Sequence, residues 1–202
     1  MLRSTGTVFS SGLDLKERSA GKLTAAPFEE VLELMEAYPR PIVGVVQGDA
    51  IAGGNELALH CDFVVASTKA SFGMSLAKIG LCPTWFLIKK LLEVAGPVAT
   101  KEILLLGEPL PAVRMHDLGI IARVAAPHNL DRAVAEITDR LEQNAPLAMQ
   151  AMKAVIVREM KFRDGIEHAD IDALVRTAGQ SEDAKEGVAA LLEHRQAHFK
   201  GV

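Results

Sequence analysis

The stretch Val45–Asp62, VVQGDAIAGGNELALHCD, decides how the rest of the chain is arranged. An apolar run over 42–46 predicts a buried strand, and the adjacent glycines Gly53 and Gly54 predict a turn. A helical pattern of apolar residues follows, with Glu56 in its first turn. Free backbone N–H groups and the helix dipole make such a helix start favourable for an anion. The stretch therefore predicts a place that stabilises a developing oxyanion, the alternative being an ordinary glycine turn with a solvated glutamate.

A second strand end runs into a glycine turn nearer the N-terminus, in Thr7–Leu15, TVFSSGLDL. Together, FSSGLDLKE and GDAIAGGNELALHCD resemble the paired loops of the enoyl-CoA hydratase/isomerase (crotonase) family. In that family, each loop supplies one backbone N–H to an oxyanion hole that holds the thioester carbonyl of an acyl-CoA. The resemblance implies that the N–H groups of Leu13 and Gly53 are the two donors here. It also implies that neighbouring residues bind the substrate: Ser11, Gly12, Asp14 and Gly54.

The resemblance continues in order along nearly the whole chain, through residues 70–73, 79–83, 105–109, 119–121 and 181–187. It implies an α/β fold, with a crotonase-like ββα spiral core over 1–135 and a helical C-terminal oligomerisation region of the same domain over 136–202. It further implies a homotrimer or a dimer of trimers. The substrate is expected to be an acyl-CoA thioester, with coenzyme A as part of it and no separate cofactor or metal.

The first residues, Met1-Leu2-Arg3, have the pattern of the end of a strand. Complete members of the crotonase family carry further β and α segments before this point. The chain therefore resembles a member without its opening segment, and an uncovered sheet edge is expected. A misplaced start codon, a truncated gene and a genuine short form are all compatible with this pattern.

The carboxylates are where the chain departs from the family pattern. Hydration of an enoyl thioester needs an oxyanion hole and carboxylates that activate water and deliver a proton. By resemblance, the first family glutamate is Glu56, but Leu76 stands where the second belongs. Some isomerases of the superfamily carry an acid just after the next proline, where this chain has Thr84. A single carboxylate can still move a proton along an acyl chain or activate water for thioester hydrolysis. A non-catalytic acyl-CoA-binding homologue is the alternative from a different class.

Several other residues are candidates for binding or tuning. Leu76 and Met74 have the character of an apolar acyl pocket, although core residues look the same. Lys200 matches a family Phe-Lys pair that approaches coenzyme A from a neighbouring subunit, or is a charge at a helix C-terminus. His60 lies one helical turn after Glu56 and could tune it, but a packed histidine is the simpler interpretation. Trp85 is more typical of a core residue than of a ligand-stacking one.

Composition excludes several classes of function. The 202 residues are 49% hydrophobic and 24% charged, with a net charge of −4, so no general attraction to nucleic acid is expected. The sequence contains no apolar run long enough for a membrane span and no signal-peptide pattern, which predicts a cytoplasmic protein. The two cysteines, Cys61 and Cys82, are expected to be reduced thiols in the core.

Periodicity predicts a chain in which strands alternate with helices early and helices dominate late. Asp14 and Asp62 are predicted to cap a loop and a strand, respectively. The predicted strands cover 42–46, 62–66 and 120–124, and loops are predicted over 15–26 and 69–81. The predicted helices cover 28–38, 84–94, 97–106, 111–118, 130–143, 146–160, 171–178 and 182–199.

Overall fold

The computed structural model describes residues 1–19 and 26–202. Its strands are β1 (Leu2–Arg3), β2 (Val43–Val46), β3 (Ala50–Ile51), β4 (Phe63–Ser67), β5 (Ser71–Gly73), β6 (Leu110–Pro111) and β7 (Arg123–Ala125). Its helices are α1 (Leu15–Ser19), α2 (Ala26–Ala37), α3 (Gly53–Leu59), α4 (Trp85–Lys101), α5 (Ala112–Asp117), α6 (Leu130–Glu142), α7 (Pro146–Met160), α8 (Ala169–Gln180) and α9 (Glu182–Leu192). A 3₁₀ helix spans Ser75–Ile79, and a π-helical turn spans Glu102–Leu106.

A parallel sheet with the strand order β1-β2-β4-β7 forms the centre of the molecule. Val45 of β2 is in register with Val65 of β4, and both are fully or almost fully buried. One face of the sheet packs on α6, through a cluster that includes Leu130 and Val134. The other face packs into the larger core with Val46. Burial on both faces explains why β2 has a continuous apolar sequence rather than an alternating one.

A smaller sheet with the order β3-β5-β6 lies beside the main one and carries the turn before α3. β3 and β5 are parallel, with Ala50 opposite Phe72, whereas β5 and β6 are antiparallel. Ser10 joins this sheet through an isolated parallel bridge to Ala50. The sheet therefore brings the segment around Ser10 directly against the start of α3.

The predicted elements are largely confirmed, and the differences have local causes. The chain breaks at Gly96 as expected, because its φ of 66° interrupts the helical backbone between the two parts of α4. The predicted loop over 15–26 is wrong for 15–19, which form α1; residues 20–25 lie outside the described residues. The Asp14 carboxylate accepts from the backbone N–H groups of Lys16 and Glu17, a helix-capping contact that starts α1.

Two further predictions are wrong. The segment over 69–81 is not a simple loop, since it contains β5 and the 3₁₀ helix Ser75–Ile79. The last helix ends at Leu192 rather than near residue 199, because His194 adopts a positive φ of 55°. Beyond it the chain folds back, and the guanidinium of Arg195 donates to both carboxylate oxygens of Glu186.

Candidate active site

The two glycine-containing loops pack against each other. The backbone N–H groups of Phe9 and Ser10 donate to the carbonyl of Asp49 at 3.0 and 3.2 Å. In return, the N–H of Ile51 donates to the carbonyl of Ser10 at 2.9 Å. Residues forty positions apart in the sequence are thereby fixed side by side, as the paired motifs require.

Glycine is needed at this junction because the backbones approach too closely for a side chain. A Cβ on Gly54 would lie 2.1 Å from the carbonyl oxygen of Ser10. Gly12 has a φ of 87°, and a Cβ there would lie 2.8 Å from the backbone nitrogen of Gly53. The turns around Gly12 and Gly53 therefore lie in direct contact.

Two backbone donors at this contact have no acceptor in the part of the chain that the structure describes. Gly53 is the first residue of α3, so its N–H has no acceptor within the helix. The N–H of Leu13 directly follows Gly12. Neither N–H donates to any acceptor within residues 1–19 and 26–202. Ser11 is exposed beside them, and Ser10 Oγ accepts from the N–H of Gly12 at 3.2 Å.

The turn into α3 has a strained residue at its centre. Ala52 has φ 51° and ψ −119°, a conformation that a residue with a side chain rarely adopts. Its N–H donates to the carbonyl of Gly73 at 2.8 Å, which ties the turn to β5. Such strain persists only where surrounding contacts impose it, and it concentrates at functional sites.

Glu56 lies in the first turn of α3 and is completely buried. The side-chain amide of Asn55 donates to its Oε1 at 3.4 Å, and Oε2 has no hydrogen-bond partner in the part of the chain that the structure describes. Burial raises the pKa of Glu56 from 4.5 to about 8, with Asn55 and Lys90 opposing the shift. The carboxyl group therefore carries a proton at neutral pH, which suits a group that gives a proton.

His60 contacts Glu56 through the backbone only. Its Nδ1 lies 2.7 Å from the carbonyl oxygen of Glu56, so that nitrogen carries the hydrogen. Its ring stacks on Phe86 with centroids 5.5 Å apart, and its Nε2 lies 3.8 Å from Glu36 Oε1. Burial lowers the pKa of His60 to about 4, with the positive charge of Lys90 adding to the effect. His60 is thus a neutral, packed histidine, as the simpler interpretation predicted.

The two positions without a carboxylate lie on the segment that precedes α4. Leu76 belongs to the 3₁₀ helix and is half-buried against the core, next to the fully buried Met74. Thr84 immediately precedes α4, and its hydroxyl donates to Glu29 Oε1 at 2.5 Å. The sequence motifs give no sign of Glu29, because the contact joins two helices that are far apart in the chain.

No role for Phe28, which lies next to Glu29 on α2, could be predicted from the sequence. A Cβ on Gly53 would lie 3.4 Å from Cζ of the Phe28 ring, so this ring covers the start of α3. The periodicity predicted a helix over 28–38, but it could not show which element that helix covers.

The remaining candidates lie away from the two loops. Lys200 lies beyond the end of α9, so the interpretation as a helix C-terminal charge is wrong; its N–H donates to Asp183 Oδ1 at 2.7 Å. Trp85 stacks on His168 with centroids 4.7 Å apart, rather than lying in the core. Asp62 is predicted to cap or orient the strand that follows α3, but its Oδ2 accepts from the N–H of Ile42 at 2.6 Å, directly before β2.

The two cysteines differ in exposure. Cys61 is buried, and burial raises the pKa of its thiol to about 12, so it is unreactive as a nucleophile. The prediction of a core thiol is wrong for Cys82, which is exposed because it lies on the extended segment before α4. Over 1–19 and 26–202, no group of three or more His, Cys, Asp or Glu side chains could hold a metal ion. In the same residues, no helix is both long and apolar enough to cross a membrane.

Comparison with known proteins places this arrangement in a family. The family model described as enoyl-CoA hydratase/isomerase matches residues 1–202. The chain belongs to this family. Carnitinyl-CoA dehydratase of Salmonella arizonae is 32% identical over 202 residues, which cover 96% of this chain and 77% of that protein. The Citrobacter koseri protein of the same name is 32% identical over 205 residues, with the same coverage.

Solved structures confirm the predicted crotonase-like fold. A methylmalonyl-CoA decarboxylase superimposes with a TM-score of 0.88 at 26% identity, covering 98% of this chain and 78% of its own. The carnitinyl-CoA hydratase of Mycobacterium avium has a TM-score of 0.80 at 28% identity, covering 99% and 80%. The relatives named here thus include enzymes of more than one reaction type on coenzyme A thioesters.

Proposed function

We propose that this protein is an acyl-CoA thioester enzyme that stabilises an enolate and moves a proton with Glu56. The N–H groups of Leu13 and Gly53 hold the thioester oxygen as negative charge develops on it. Gly12 and Gly54 allow the two loops to approach, and Ser11 and Asp14 flank the thioester. The observation that carries the proposal is the contact between the turns at Gly12 and Gly53. The N–H groups of Leu13 and Gly53 in these turns have no acceptor within 1–19 and 26–202, and a buried, protonated carboxyl lies one helical turn away.

Leu76 favours proton transfer along the acyl chain over addition of water. A leucine cannot hold water, and its apolar side chain keeps the surroundings dry. We therefore expect isomerisation of a 3-enoyl thioester, with thioester hydrolysis as the alternative reaction. Coenzyme A enters as part of the substrate, and no separate cofactor takes part.

The exposed apolar side chains of α7 and α8 support assembly of several copies. Apolar residues with more than half of their surface exposed cluster there: Leu147, Met152, Val155, Ile156 and Leu174. A patch of this kind on a soluble protein is typical of an interface. We expect a homotrimer or a dimer of trimers, in which Lys200 reaches coenzyme A of a neighbouring copy. Light scattering of the purified protein measures the mass of the assembly.

The test is a panel of coenzyme A thioesters with product analysis by mass spectrometry. It compares a short 2-enoyl, a 3-enoyl and a saturated acyl thioester. We expect turnover of the 3-enoyl substrate, reduced about 10²–10⁴-fold in Glu56→Gln. Glu33→Gln removes an exposed carboxylate of α2 and should match the unmodified protein. Binding of every thioester without turnover would instead identify a non-catalytic acyl-CoA-binding protein.

A further inference from the structure

Three helices begin at the same end of the site. Phe28 of α2 covers Gly53, the first residue of α3. Two turns further along α2, Glu36 Oε1 lies 3.8 Å from Nε2 of His60, which follows the end of α3. These two contacts show that α2 and α3 run side by side in the same direction and start level with each other.

The third helix, α4, follows the same direction. Glu29 contacts Thr84 just before the start of α4, whereas Lys90 Nζ donates to Glu36 Oε1 at 2.8 Å one to two turns later. The first residues of α2 and α4 are therefore also level. Glu29 lies at this common end, next in sequence to the residue that covers Gly53.

The contact between Glu29 and Thr84 is specific. Thr84 precedes α4, but its hydroxyl does not cap that helix. It donates instead to Glu29 Oε1 at 2.5 Å, in a partly buried environment. Both residues line a groove of about 970 Å³ that is open to solvent. The contact thus holds a carboxylate of α2 beside Thr84, a position at which the chain itself has no acidic residue.

The protonation of Glu56 creates a need for such a group. A carboxyl that holds its proton at neutral pH can give a proton, but it cannot take one. Leu76 offers no titratable group, and His60 is packed with its Nδ1 on the Glu56 carbonyl.

We propose that Glu29 is a second catalytic carboxylate, which removes a proton from the carbon next to the thioester while Thr84 positions it. This role rests on the proposed function of the two loops. With a 3-enoyl thioester, the C2–H bond breaks and its proton passes to Glu29. The electron pair forms a dienolate, whose oxygen is held by the N–H groups of Leu13 and Gly53. Glu56 then gives its proton to C4, the double bond moves to C2–C3, and both carboxyl groups regain their starting protonation by exchange with water.

A labelling experiment tests whether one carboxylate carries the hydrogen from C2 directly to C4, which two separate carboxylates cannot do. The intact protein, equilibrated in D₂O, converts a 3-enoyl-CoA, and mass spectrometry and NMR determine deuterium at C4 of the product. Two separate carboxyl groups predict about one deuterium at C4 in every product molecule, because that hydrogen comes from Glu56. A single carboxylate would carry part of the substrate's own C2 hydrogen to C4, and such retention would overturn the proposal.

Variants provide a second measurement on any thioester that turns over. We expect Glu29→Gln to lower kcat about 10²–10⁴-fold with little change in KM, and Glu29→Asp to restore part of the activity. Glu30→Gln alters the neighbouring exposed carboxylate and should leave kcat unchanged. Thr84→Ala should lower kcat less, with full labelling at C4. Circular dichroism checks that each variant is folded.

The outcomes separate this inference from the function on which it rests. If the intact protein turns over no thioester in the panel, the proposed function fails, and the inference fails with it. If the intact protein is active but Glu29→Gln equals Glu30→Gln, only the role of Glu29 is refuted.

Discussion

Replacing Glu56 by glutamine should make the protein more stable at neutral pH while it lowers turnover about 10²–10⁴-fold. Glu56 is completely buried, and its pKa rises from 4.5 to about 8. A carboxyl whose pKa is higher in the folded than in the unfolded protein supports folding fully below pH 4.5. That support is lost progressively as the pH rises from 4.5 to about 8. Glutamine has nearly the same shape but no acidic proton, so the variant does not lose stability through ionisation as the pH rises.

The size of the effect follows from the pKa shift. Each pH unit above 4.5 costs the wild-type fold about 1.4 kcal/mol, so the penalty reaches about 3 kcal/mol at pH 7. The side-chain amide of Asn55 can donate to either residue at position 56, which leaves that contact equal in the two proteins. We therefore expect Glu56→Gln to raise the free energy of unfolding by about 3 kcal/mol at pH 7 and by less than about 1 kcal/mol at pH 5.

Urea unfolding at a fixed protein concentration, repeated at pH 5, 6, 7 and 8, measures this difference. The gap between the two proteins should widen steadily with pH. In the same pH range, kcat of the wild type should fall as the pH rises through about 8, because Glu56 then loses the proton it must give. A stability gap that is constant from pH 5 to 8 would refute the reasoning, since Glu56 would then titrate alike in the folded and unfolded chain.

Three further substitutions test the loops, the pocket and the core. Gly54→Ala should lower the free energy of unfolding by about 2 kcal/mol and abolish turnover, because the new Cβ would lie 2.1 Å from the Ser10 carbonyl oxygen. Wild type should hydrate a short 2-enoyl-CoA weakly, and Leu76→Glu should raise that rate about tenfold or more by adding a water-binding carboxylate. Lys153→Met should cost about 3 kcal/mol in urea unfolding, because the buried ammonium donates to Asp62 at 2.7 Å and to two backbone carbonyls.

Each of these substitutions has a matched control. Gly165→Ala should be neutral, because a Cβ there meets no atom within 4 Å. Leu76→Gln introduces polarity without a carboxylate and should not gain hydratase activity. Lys69→Met changes an exposed lysine and should leave stability unchanged. Full activity of Gly54→Ala would contradict the first prediction, and rapid hydration by the wild type would contradict the second. Equal stability of Lys153→Met and Lys69→Met would contradict the third.

The sequence was most informative where physical constraints are local. The continuous apolar run of β2 and the glycine turn before α3 are recognisable because burial on two faces and close backbone contact each require particular residue types. Gly54 is such a case, since any side chain there would meet Ser10. The packing of the two loops could be expected because both motifs occur together and in order.

Contacts between distant elements could not be read from the sequence in the same way. Glu29 is one of several glutamates on α2, and only the packing of that helix selects it for contact with Thr84. The exposure of Cys82 was missed because its apolar neighbours suggested a buried segment, whereas the chain there is extended before α4. The end of α9 was misplaced because the apolar pattern continues past His194, where the backbone turns.

The contact between α9 and the 3₁₀ helix has a consequence for synthesis on the ribosome. A Cβ on Gly187 would lie 2.4 Å from the carbonyl carbon of Ile79, so α9 lies directly against the segment that carries Leu76. The loops around Ser10 and Ala50 can meet early in translation, but Ile79 waits for a partner about a hundred residues later. At about 5–20 residues per second, that interval lasts several seconds. During it, the 3₁₀ helix that carries Leu76 lacks its support, so a nascent chain released before α9 emerges would have its two loops paired and this helix unsupported.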